Sequence, residues 1–228
     1  MLRAVIFDFN GVIVDDEPVH FRAFQTVLEE EGISLTESDY YARYLGMDDR
    51  GCFRATYRAS GRVLDDFTLK QLIERKARYY QTLIREGVVL FPGVANLVAT
   101  LARSLPLAIA SGALRHEIED ILQRTGLGAH FPVIVSAEDV QDGKPDPEIF
   151  RRALELINRP ERNPAVLPEQ CLIVEDSKDG ILAAKRAGMK CLAVTNSHPA
   201  SHLSGAEAIV ESLAEVDIFF LQRLFAEL

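Results

Sequence analysis

The sequence predicts a doubly wound parallel α/β sheet of Rossmann-like type, with a helical domain inserted after the first strand. Three observations lead there. Short apolar runs recur along the chain, amphipathic helical stretches alternate with them, and the first interval between runs is far too long for a single strand–helix–strand step.

The first run, AVIF (4–7), has the length of a buried strand and ends at Asp8. Equivalent runs follow as LAIA (107–110), VIV (133–135), LIV (172–174) and LAV (192–194). Helical patterns start at residues 94, 116, 147 and 179, and Gly126 and Gly188 fall where C-terminal caps belong. From Asp8 to Ser111 is 103 residues, from Ser111 to Lys144 is 33, and from Lys144 to Asp176 is 32. One crossover unit takes roughly 30 residues, so the first interval holds a surplus of roughly 70. That surplus, residues 17–88, carries apolar positions at three- and four-residue spacing. The predicted organisation is a core of 1–16 and 89–228 with a helical cap of 17–88. The cap should open and close about its crossings, near Val14–Glu17 and Gly87–Pro92.

Composition narrows the partners. The formal charge of −9 argues against nucleic acid and anionic membrane as ligands, since both repel an acidic surface. An apolar run of four residues before Asp8 is too short for a signal peptide, and no stretch reaches the ~20 apolar residues of a membrane span. A cytoplasmic protein is expected. Cys52, Cys171 and Cys191 form no CxxC pair and read as small core hydrophobes. The amphipathic stretch 216–228 should dock on the core or, failing that, form a homodimer contact, giving a monomer or weak homodimer.

In an open α/β sheet, ligands bind at the carboxyl ends of the strands. There the sequence places Asp8, Ser111, the Lys144 loop, Glu175 and Asp176. Singly, each has an ordinary explanation as a turn, cap or loop residue. Together, in chain order and at matched strand ends, they point to phosphoryl transfer. An aspartate is a covalent nucleophile toward phosphorus, but its charge repels a phosphate unless a cation lies between them. Mg²⁺ held by Asp8 and Asp176 meets that need, with Glu175 in the outer shell or as an occasional ligand. Ser111 and the amides of Gly112 and Ala113 are expected to open a helix and bind the anion, and Lys144 to act as a point charge on the transferring oxygens.

The segments VIFDFNGVIVDDEP (5–18), LAIASGA (107–113), GKPDPEIF (143–150) and VEDSKDGILAAKRAG (174–188) resemble the four signature motifs of the haloacid dehalogenase superfamily. The insertion is similar to the helical cap of its β-phosphoglucomutase and small-phosphatase branch. The resemblance implies Asp8 as nucleophile and metal ligand, Ser111 and Lys144 as phosphate binders, and Asp176 as the second metal carboxylate. It also implies a cap role for His20 at the cleft. One position departs from the pattern. The family's phosphatases and mutases carry an acid–base aspartate two residues after the nucleophile, where this chain has Asn10. An amide cannot give or take that proton, although its backbone carbonyl can still bind the metal.

For the substrate, the cap loop YLGMDDRG (44–51) offers Gly46 and Arg50, and the segment after the serine offers Arg115 and His116. This is thin provision for a second phosphate. The expectation is therefore a phosphatase of a small phosphorylated metabolite, with a hexose-phosphate mutase as one alternative and a weakened phosphoester-binding protein as another. Lys70 and Lys76 read as a solvated helix face, and His198 with His202 as a solvated loop. Asp16 has two readings. It caps the helix opened by Glu17–Pro18, or it replaces the missing acid through a raised pKa.

Overall fold

A computed structural model describes residues 1–45, 47, 49–87, 89–159 and 164–226, apart from the side chains of Arg85 and Glu86. The chain runs β1 (Ala4–Phe7), β2 (Val14–Asp15), α1 (Glu17–Glu30), α2 (Glu37–Arg43), α3 (Asp49–Ala59), α4 (Asp66–Glu86), β3 (Val89–Leu90) and α5 (Val94–Leu101). It continues as β4 (Leu107–Ala110), α6 (Arg115–Thr125), β5 (Val133–Val135), α7 (Glu148–Ile157), β6 (Cys171–Glu175), α8 (Lys178–Arg186), β7 (Lys190–Val194), β8 (Ala208–Val210) and α9 (Ile218–Arg223). Two compact units result, one of Met1–Asp15 with Val89–Leu228 and one of Asp16–Val88.

In the first unit a six-stranded parallel sheet has the order β5-β4-β1-β6-β7-β8. All five apolar runs are strands, and the inner ones are buried on both faces, which is why they read as continuous rather than alternating. Register fixes the site. Phe7 lies level with Ile109 of β4 and Val174 of β6, so Asp8, Ser111 and Glu175 leave the sheet at the same edge. Gly126 and Gly188 take the left-handed conformation at the ends of α6 and α8. Cys171 and Cys191 are buried on β6 and β7, Cys52 is buried on α3, and all three are free thiols. The edge strand β8 was not expected from sequence.

The two crossings expected as hinges are hydrogen-bonded to each other. β2 and β3 form an antiparallel pair with Val14 opposite Leu90 and Asp15 opposite Val89, and Phe91 N–H donates to Ile13 O. Residue 88 of the second crossing lies outside the described residues. The second unit is the helical insert α1–α4, with its own core of Phe24, Val27, Leu28, Phe53, Leu69 and Leu72. In the proline-rich stretch PERNPAVLPEQ (160–170), residues 160–163 lie outside the described residues. Among the described residues, no helix is long and apolar enough to cross a membrane.

Gly93 is fixed by both torsion and space. Gly93 has φ +87° at the start of α5, and a Cβ there would overlap the backbone of Ala214 and lie 2.6 Å from the carbonyl carbon of Leu213. Gly61 has a similar φ of +73° but open space around it. Gly61→Ala should therefore cost only the left-handed penalty of about 1–2 kcal/mol. Gly93→Ala should cost more than about 3 kcal/mol, because backbone displacement adds to that penalty. Thermal unfolding of the two variants checks this, and equal shifts would contradict it.

Candidate active site

The strand ends bring a buried charged cluster together. Lys144 reaches in from the loop before α7 and bridges two carboxylates, Asp8 Oδ1 at 2.8 Å and Glu175 Oε1 at 2.6 Å. Asp8, Glu175 and Asp176 are all buried, and an oxygen from each lies within 4.8 Å of the others. Burial pushes Asp8 up to about 6; the ammonium of Lys144 works against this and the charge of Glu175 adds to it. Asp176 is raised well above the usual carboxylate range by burial, by Glu175 and by Asp8. Burial opposes the charged form of Lys144, but the two carboxylates outweigh it and hold the amine protonated. Three carboxyl groups thus face one ammonium, an excess of acidic over basic groups.

A hard divalent cation answers that excess, and an all-oxygen donor set is what Mg²⁺ takes. The turn after β1 is shaped around the same carboxylates. Gly11 has φ +75°, and a Cβ on it would overlap Asp176 Oδ2. Asp8 and Asp176 are the residues that fit a ligand role. Glu175 is otherwise engaged. It accepts from Lys144, from the amides of Asp176 and Ser177 at 2.8 Å each, and from Ser177 Oγ at 2.8 Å. These bonds and Lys144 hold its carboxyl below the usual value although burial pushes the other way.

The serine motif needs a correction. The helix α6 begins at Arg115 with Leu114 at its N-cap, so Ser111, Gly112 and Ala113 form a turn before the helix rather than its first residues. Ser111 is buried, and its Oγ accepts from the Ala113 amide at 3.2 Å. Arg115 is also committed away from the role expected of it. Its guanidinium bonds Asp139 at 2.6 Å and Ile134 O at 3.0 Å. His116 is exposed.

The family model described as haloacid dehalogenase-like hydrolase matches residues 5–194. The chain belongs to this family. Within it, the chain falls in the branch of β-phosphoglucomutase-like and CbbY-like proteins. It is 35% identical over 192 residues to the phosphorylated carbohydrates phosphatase of Thermotoga maritima, covering 83% of each chain. It is 29% identical over 227 residues to the β-phosphoglucomutase of Bacillus subtilis, covering 97% of this chain and 95% of that one. Among solved structures it is similar to CbbY from Rhodobacter sphaeroides in complex with phosphate, with a TM-score of 0.79, 26% identity, and coverage of 97% and 100%.

This haloacid dehalogenase-like chain also gathers charge inside its helical insert, where sequence reading missed it. Lys76 is buried, not on a solvated face. It lies on the buried stripe of α4 with Leu69, Leu72 and Tyr80, and that spacing was the available signal. Its ammonium bonds Asp49 at 2.8 Å and His20 Nδ1 at 2.6 Å, and it sits 4.7 Å from the Phe24 ring centre. Since Lys76 donates to Nδ1, the His20 ring proton is on Nε2, donated to Asp16 Oδ2 at 3.1 Å. Tyr80 OH donates to the same Asp16 oxygen at 2.7 Å.

Asp16 therefore departs from both expectations. It occupies the N-cap position of α1, but its side chain makes no cap hydrogen bond. Nor is its pKa raised. Burial pushes it up, but the hydrogen bonds of His20 and Tyr80 outweigh that, and the carboxyl is held below its usual value. Arg50 is exposed at the start of α3, Lys70 is exposed on α4, and Gly46 and Asp48 of the cap loop lie outside the described residues. His198 and His202 sit with ring centres 6.3 Å apart.

Gly180 gives a prediction with an unusual sign. An alanine in a helix normally gains roughly 0.5–1 kcal/mol over glycine. Here a Cβ in the first turn of α8 would overlap the Glu175 carboxylate, which four hydrogen bonds prevent from moving aside. Gly180→Ala should lower the unfolding temperature. A rise would show that Glu175 relocates freely.

Proposed function

We propose that the protein is a Mg²⁺-dependent phosphatase of a small phosphorylated metabolite such as a sugar phosphate. The observation that carries this reading is the Lys144 bridge between the carboxylate after β1 and the glutamate closing β6, beside a third buried carboxylate. The phosphorylated carbohydrates phosphatase among its relatives supports the same substrate class. Against the mutase alternative stands Arg115, the basic side chain expected beyond the serine motif, which is already held by Asp139 and Ile134 O.

In the proposed reaction a carboxylate oxygen of Asp8 attacks phosphorus, and the bond to the substrate's leaving oxygen breaks. Water then attacks the aspartyl-phosphate, releasing inorganic phosphate and restoring Asp8. Mg²⁺, held by Asp8, Asp176 and the backbone carbonyl of Asn10, would offset the negative charge of carboxylates and phosphate. Lys144 keeps its proton throughout and steadies charge on the phosphoryl oxygens, with Ser111 Oγ as a further donor. The leaving oxygen still requires a proton, and Asn10 has none to give.

Phosphate release from a panel of sugar and nucleoside monophosphates tests the reading. Activity should vanish in Asp8→Ala and in excess EDTA, and activity surviving both would refute it. Asn10→Asp should raise turnover by about 10²–10⁴-fold, the worth of general acid–base catalysis. Unchanged turnover would place proton transfer elsewhere in the chain.

Asp16 is proposed as the acceptor that tethers His20 and Tyr80, since an ionised carboxylate below its usual pKa has no proton to donate at neutral pH. Asp16→Asn keeps an accepting oxygen, so turnover should change by less than about tenfold, a factor smaller than loss of an acid. A loss of 10²-fold or more would restore Asp16 as the acid–base group.

A further inference from the structure

The loop after β7 entered none of the motifs, yet it closes the carboxylate cluster. Asn196 and Ser197 follow β7, and the base of their loop is pinned to the sheet, where Thr195 N–H donates to Val210 O at 3.0 Å. Both residues are half-buried. Ser197 Oγ donates a short hydrogen bond to Asp176 Oδ2. Asn196 Nδ2 donates to the carbonyl oxygen of Gly11 at 2.7 Å, 185 residues away in sequence. In the sheet β6 lies between β1 and β7, so this loop reaches across the end of the middle strand to the turn that follows Asp8.

The three loops meet at one point. A Cβ on Gly11 would touch both Asp176 and Ser197, lying 2.6 Å from Asp176 Cγ and 2.7 Å from Ser197 Oγ. The Gly11 amide in turn donates to Val14 O at 3.0 Å, which closes the turn carrying Asp8 and Asn10. A carboxylate with one oxygen fixed by a hydroxyl can present the other only in a limited range of directions. Oδ2 already lies in the space left by the missing side chain of Gly11, and the Ser197 hydroxyl is the partner that fixes it there.

We infer that Ser197 and Asn196 are positioning residues for the metal site, Ser197 orienting the Asp176 carboxylate and Asn196 fixing the turn that carries Asp8. The inference rests on the magnesium-dependent reading of the cluster, and it adds a third loop to the two that the sequence motifs mark. Groups that orient a metal-binding side chain usually affect affinity by about 10–100-fold when removed.

The test measures Mg²⁺ binding to the whole protein by titration calorimetry without substrate, with unfolding temperatures taken in EDTA. Ser197→Ala should weaken Mg²⁺ binding by about 10–100-fold while its unfolding temperature in EDTA stays near that of the wild type. Ser197→Thr, which keeps the hydroxyl, should return the binding constant close to the wild-type value. Asn196→Ala should also weaken Mg²⁺ binding. Wild-type affinity in Ser197→Ala would overturn the assignment and leave the phosphatase reading intact. Equal weakening in the alanine and threonine variants, with lowered unfolding temperatures in EDTA, would reduce the loop to a structural role and also overturn it. Failure of the wild-type protein to bind Mg²⁺ would overturn this inference and the magnesium-dependent reading together.

Discussion

Everything at the carboxyl edge of the sheet depends on how Lys144 is held. Its ammonium is the positive charge that lets Asp8 and Glu175 be buried side by side, and each contact is under 3 Å. A buried ion pair contributes little net stability once desolvation is counted, but leaving one partner alone is costly. The arrangement is therefore better understood as a device for specificity of position than as a source of stability. Glu175 is itself anchored by the amides of Asp176 and Ser177 and by Ser177 Oγ, so the lysine is held against a fixed carboxylate.

Adjacent residues at the end of β6 divide the work. Glu175 is the last strand residue and faces the first turn of α8, where the absence of a side chain at Gly180 makes room for its carboxylate. Asp176 lies one residue further and faces the turn after β1, where the absence of a side chain at Gly11 makes the equivalent room. Two glycines far apart in sequence thus each admit one carboxylate of a consecutive pair. Ser177 completes the division. Its hydroxyl donates to Glu175 and accepts from the Gly180 amide, so it caps α8 and fixes the glutamate with one oxygen.

How far the sequence could be read follows from the same physics. Strands buried on both faces announce themselves as unbroken apolar runs, so β1, β4, β5, β6 and β7 were legible, and register then carried their end residues to one edge. The edge strand β8 was not legible, because it is three residues long, flanked by Glu207 and Glu211, and only partly covered. Asp8, Ser111, Lys144, Glu175 and Asp176 could be found because they sit at strand ends or in motifs. Asn196 and Ser197 could not, since a short polar loop carries no periodic signal and their partners are distant in sequence. Lys76 was misread for the opposite reason. The many charges on α4 suggested a solvated helix, while the spacing of Leu69, Leu72 and Tyr80 already placed residue 76 on the inner stripe.

The two charged clusters differ in a way that bears on chemistry. In the sheet unit, three carboxylates outnumber one ammonium, and burial raises the pKa of Asp8 and Asp176. That is an environment short of positive charge, suited to receiving a cation. In the helical insert, Lys76 faces Asp49 directly and Asp16 through His20, and the carboxyl of Asp16 is held below its ordinary value. There Lys76 faces two carboxylates, and His20 and Tyr80 supply the hydrogen bonds that favour the ionised form of Asp16. Both carboxyls are buried, yet Asp8 is raised beside Glu175 whereas Asp16 is lowered by its hydrogen bonds from His20 and Tyr80. Burial alone therefore does not fix the direction of a carboxyl shift in these two clusters; the donors and charges placed around each carboxyl do.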